Sequence, residues 1–75
     1  MAYSVLDTVV LNRDLPEHGL KRGDLGAIVE VYGSDALEVE FVTASGQASA
    51  LLTLSATDLR QVAETDLLTV REPTK

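Results

Sequence analysis

The chain has a single histidine, His18, beside Glu17 in a polar stretch, and no cysteine anywhere in its 75 residues. A histidine acts as a general base or metal ligand only with convergent partners. Zinc in particular needs further nitrogen or sulfur ligands. His18 therefore reads as a solvated loop side chain. The missing cysteines remove thiolate nucleophiles and disulfides together, which suits a reducing compartment. Glu38 and Glu40 alternate along Ala36 to Val42, and Glu30 is expected across from them on a neighbouring strand. Paired carboxylates can move protons or hold a hard cation. Here the spacing is that of the outer face of a hairpin. Like charges so placed are mildly destabilising unless a basic partner covers them.

Two further groups could carry chemistry. Gly19, Gly23 and Gly26 resemble a phosphate loop superficially. A dinucleotide fingerprint requires a helix after its glycines, with the helix N-terminus meeting the phosphate. Ala27-Ile28-Val29-Glu30-Val31 follows instead, which is a strand, so the glycines read as turn and bulge positions. Arg13, Lys21 and Arg22 place half of the six basic residues in one loop, the loop that borders the binding groove in many small barrels. Polyproline ligands and single-stranded RNA both call for several aromatics. The chain offers only Tyr3, Tyr32 and Phe41. No nucleophile–base pair and no metal set is visible, so the expectation is a protein that is not an enzyme and needs no cofactor.

The elements that must position these residues are short strands. Val5 to Leu11 is rich in β-branched residues and reads as the first. Asn12 to Gly23 is a long structured loop, with Leu15 and Leu20 as anchors beneath it. Asp24 to Tyr32 is the second strand, where Gly26 predicts a bulge or a close backbone approach. Gly33-Ser34-Asp35 turns the chain into Ala36 to Val42, whose Leu37, Val39 and Phe41 oppose Glu38 and Glu40 in the cleanest two-residue period of the sequence. Ala44 to Gln47 is a second hairpin turn, and Ala48 to Leu54 a fourth strand with Ala48, Ala50, Leu52 and Leu54 on one face. Ser55 to Leu59 predicts a short helical turn with Ser55 as its N-cap, and Leu59 to Val62 a brief last strand. Glu64 to Val70 is open between helix, strand and ordered tail.

Seventy-five residues make one domain. The expected fold is all-β, a small SH3-like barrel of about five strands with a short helical turn before the last. Residues 1–63 form the barrel domain, and 64–75 a C-terminal extension, partly ordered or tail. An open α+β fold with Ser55 to Leu68 helical is the rival. Twelve carboxylates against six Lys and Arg give a net charge of −6, which repels a phosphate backbone on average. No apolar run approaches the ~18 residues of a membrane span and no basic leader is present, so the expected location is cytoplasmic.

The stretch Leu15 to Tyr32 (LPEHGLKRGDLGAIVEVY), with Glu38-Val39-Glu40-Phe41-Val42 and Leu54 to Leu59 (LSATDL), resembles a bacterial family of short proteins known as domain of unknown function 4926. The resemblance covers roughly residues 5 to 63, and its Gly-Leu-x-x-Gly-x-x-Gly core is fairly specific. The pattern is also loosely similar to the SH3-like barrel of the nitrile hydratase β subunit and to ribosome- and RNA-associated barrels. The resemblance implies a fold and little chemistry, and small partners of a neighbouring gene product, of the toxin–antitoxin kind.

Two functions follow as expectations. The first is a small acidic, non-catalytic interaction module that binds or modulates a protein partner, antitoxin-like or an accessory subunit, with Glu30, Glu38 and Glu40 in the contact. The alternative is a nucleic-acid or ribosome-associated accessory barrel using Arg13, Lys21 and Arg22. A homo-oligomer through edge strands or through residues 64–75 is compatible with either.

Overall fold

A computed structural model describes residues 3–42 and 49–66. Five antiparallel strands make one sheet: β1 (Thr8–Leu11), β2 (Leu25–Tyr32), β3 (Ala36–Val42), β4 (Ser49–Ser55) and β5 (Leu59–Gln61). Their order across the sheet is β4-β3-β2-β1-β5. The all-β fold of about five strands expected from the sequence is present, with a 3-10 turn, Ala56–Asp58, directly ahead of β5. Leu54 of β4 and Leu59 of β5 stand at opposite ends of the order yet share one buried cluster with Val9, Leu11, Ile28, Leu37, Val39 and Phe41. The sheet therefore curls around a single core. The hairpin anticipated at Ala44 to Gln47 lies outside the described residues, as does the extension beyond Asp66.

The first strand begins later than its β-branched run suggests. Ser4 to Asp7 closes a turn in which the Asp7 amide donates to the Ser4 carbonyl and the Ser4 amide donates to the Asp7 carboxylate. Local hydrogen bonds thus win over strand propensity at Val5 and Leu6. The long loop after β1 is clipped by a bridge between Leu15 and Leu20, both buried as the anchors expected of them. A 3-10 turn, Pro16–His18, lies between them and ends at Gly19 in the left-handed region.

The bulge expected in β2 is present, but at Val29 and not at Gly26. Ile28 pairs with Val39 and Glu30 pairs with Glu38, leaving Val29 as the extra residue. The reason lies in the pattern. In a regular strand Ile28 and Glu30 would share a face, and the glutamate would enter the core. The inserted residue reverses the phase, so that Val31 packs on the core and Glu30 faces solvent. Gly26 meets the other half of its expectation, close approach. A Cβ there would sit 2.8 Å from the Phe41 ring and from Val39 Cγ1.

No helix among the described residues is long and apolar enough to cross a membrane.

Candidate protein-docking face

The outer face of β2, β3 and β4 collects the carboxylates. Glu30 stands opposite Glu38, which stands opposite Thr53; Ala27 stands opposite Glu40, which stands opposite Leu51. The three glutamates read from the sequence are thus brought together on one side of the sheet. The Tyr32 hydroxyl donates to Glu38 Oε1 at 2.8 Å. That hydrogen bond, with desolvation and the negative charges of Glu38 and Glu30, holds the phenol above its ordinary range. Among the described residues no ion pair reaches Glu30, Glu38 or Glu40. Beside them lie exposed apolar side chains: Val42 next to Glu40 on β3, Leu51 across from it on β4, and Val29 at the bulge. A shallow hollow lined by Leu25, Ala27, Glu40 and Val42 joins the charged and apolar parts.

The other expected group is arranged differently. The Arg13 guanidinium is 2.8 Å from Asp58 Oδ1, which ties the first loop to the turn before β5. The Arg22 amide donates to Asp14 and the Lys21 amide to Asp24. Arg13 is thus ion-paired, while the carboxylates of Asp14 and Asp24 are held against the main chain at Arg22 and Lys21. His18 is exposed at the end of its 3-10 turn. No three His, Asp or Glu side chains among the described residues converge as a metal site would require.

Sequence reasoning missed two features. Leu6 lies in the turn before β1 with φ of +80° and is 81% exposed, although its amide donates to the Ile28 carbonyl beside the bulge. A leucine at the third position of such a turn occupies a place that favours Gly or Asn. Nothing in the run Ser-Val-Leu-Asp marks it. The second is Arg60, whose two terminal nitrogens each contact an Asp66 oxygen at 2.8 Å. The Ala63 amide adds a third bond to the same carboxylate. Together they hold the Asp66 carboxyl down to about 2. This fork crosses the boundary expected between residues 63 and 64, fixing the first residues of the extension onto β5.

The family described as "Domain of unknown function (DUF4926)" matches residues 5–61. That is most of the chain, and the protein belongs to this family. No curated protein and no solved structure matches it.

Proposed function

We propose that the chain is a non-catalytic interaction module whose outer β2–β3–β4 face docks a basic protein, as an accessory subunit or an antitoxin-like partner does. The observation that carries this reading is the row Glu30, Glu38 and Glu40, which lies on one solvent face without an ion-pair partner among the described residues, beside exposed Val42 and Leu51. Carboxylates directly opposite each other weaken a sheet. A cationic partner converts that internal repulsion into cross-interface attraction and speeds encounter. The apolar neighbours supply the desolvated centre that such contacts need. The loop holding Arg13, Lys21 and Arg22 supports nucleic acid less well, because Arg13 is paired with Asp58 of the turn before β5 and the carboxylates of Asp14 and Asp24 are held at the Arg22 and Lys21 amides.

The test is capture from the native host's lysate at low and high salt, comparing the natural chain with the triple variant Glu30→Gln, Glu38→Gln, Glu40→Gln. A stoichiometric basic protein retained by the natural chain and lost by the variant supports the reading. Recovery of RNA or ribosomal proteins, released by salt and indifferent to the three substitutions, sinks it in favour of the nucleic-acid alternative.

A further inference from the structure

The two edges of the sheet are built unequally. β5 is three residues long, carries Arg60, and is followed at once by the segment that Arg60 and Asp66 clamp together. β4 is seven residues long, Ser-Ala-Leu-Leu-Thr-Leu-Ser, with no charge, proline, glycine or register shift. Sheet proteins ordinarily guard a free edge with one of those devices. This one has none.

The phase of the β4 main chain is fixed by two hydrogen bonds. The Ala56 amide donates to the Asp35 carbonyl across the β3–β4 ladder, while the Ser55 amide turns the other way and donates to Asp58. Alternation along an antiparallel ladder then directs the amides and carbonyls of Leu54, Leu52 and Ala50 towards β3. Those of Leu51 and Thr53 point out of the sheet. Their side chains stand on the solvent face, with Leu51 58% exposed.

We infer that β4 pairs with β4 of a second copy of this chain, antiparallel, about a two-fold axis through Leu52. A register centred on Leu52 pairs Ala50 to Leu54 of both copies and leaves the Ser55 amide with Asp58. In that register Leu51 opposes Thr53 of the other copy, so the residues whose polar groups face outward become the hydrogen-bonded pair. Leu52 meets its own copy on the core side, and Ala50 meets Leu54, extending each buried cluster across the seam. The same strand supplies both sides of the seam, as an isologous contact requires. No carboxylate lies on it, so the glutamates of each copy stay one strand back from the seam. The dimer rests on the β4 main chain and not on the basic-partner reading above, although Leu51 borders both surfaces.

A net charge of −6 on each copy opposes association, so pairing strengthens as salt screens it. Sedimentation equilibrium of the natural chain over a wide concentration range, at low and high salt, reads this directly. The expected result is a monomer–dimer equilibrium shifted towards dimer by salt. Thr53→Pro tests the edge: its amide bonds nothing within the sheet, so the fold survives by circular dichroism while dimer is lost at every concentration. Leu52→Cys tests the register, since a non-hydrogen-bonded pair on the axis brings two Cβ atoms within disulfide reach and the chain has no other cysteine. Mild oxidation should cross-link Cys at 52 at least tenfold faster than Cys at 51 or 53. A natural chain monomeric under all conditions, or equal cross-linking at the three positions, overturns the proposal.

Discussion

Glu30 and Glu38 face each other directly across the β2–β3 ladder, both on the solvent side, and among the described residues Glu38 alone of the two receives a hydrogen bond, from the Tyr32 hydroxyl at 2.8 Å. The pair is asymmetric: among the described residues Glu30 meets only like charge. Glu30→Gln should therefore stabilise the isolated chain by about 0.5 kcal/mol, the size of a cross-strand charge effect. The gain should shrink as salt rises. Denaturant midpoints at two ionic strengths measure it; a loss of stability would mean Glu30 has a favourable partner.

The same contact makes Tyr32 a reporter. The phenol is raised above 10.0 by its hydrogen bond to Glu38, then by desolvation and the charges of Glu38 and Glu30. A group with a raised folded pKa adds stability below its unfolded value and loses it as pH climbs through the folded one. The Tyr32 contribution is thus intact to pH 10 and fades above it. Phenolate absorbance should show late ionisation in the natural chain, and Glu38→Ala should bring the titration back towards 10.

Gly26 lies under the β3 core residues, where an added Cβ would come within 2.8 Å of both Phe41 and Val39. Those side chains are fully buried, so they can yield only by displacing their packed neighbours. Gly26→Ala should cost about 2 kcal/mol, in the range of overpacking a filled core. Urea unfolding with an unchanged slope checks it. A neutral result would show that the β2–β3 spacing is looser than the contacts imply.

Asp66 supplies a dependence at the acid end. The Arg60 fork and the Ala63 amide lower its carboxyl from 3.8 to about 2. A lowered folded pKa contributes stability above the unfolded value and loses it as pH falls through the folded one. The clamp between β5 and the extension should hold at pH 4 and release between about pH 4 and 2. Hydrogen exchange at the Ala63 amide, which donates to Asp66, follows the release. Asp66→Ala should leave that amide unprotected at neutral pH.

What the sequence made legible were features signalled by neighbouring residues. The alternation Leu37, Glu38, Val39, Glu40, Phe41 defines β3 with its observed bounds. Ser55 followed three residues later by Asp58 produces a reciprocal capping box, each side chain accepting from the other end of the turn. The bulge at Val29 was not placed, because Ala27 to Val31 carries no turn residue. Its cause is a conflict of faces between Ile28 and Glu30 that only the register exposes. The Arg60–Asp66 fork joins residues six apart across a chain reversal, and no periodicity marks it. For the docking face, the glutamates were legible as a group. The apolar side chains beside them were not, since Val42 and Leu51 read as ordinary strand residues until their faces are known.

On the proposed docking function, Leu6 would join stability to binding. Its φ of +80° places a branched apolar side chain in the left-handed region, at a cost of about 1 kcal/mol. That side chain stays 81% exposed and recovers nothing by burial within the chain. Its amide reaches the Ile28 carbonyl, which sets it beside Val29 and Glu30 at the end of the acidic row. A strained, solvated leucine next to an apolar and charged surface fits a residue that a partner buries. Leu6→Gly should raise the stability of the isolated chain or leave it level, because relief of strain offsets the larger unfolded-state entropy of glycine. The same substitution should weaken capture of the partner at least tenfold, since a buried leucine contributes about 2 kcal/mol. Thermal unfolding paired with the lysate capture separates the two effects. Lower stability with unchanged capture would assign Leu6 a role inside the fold and none at the interface.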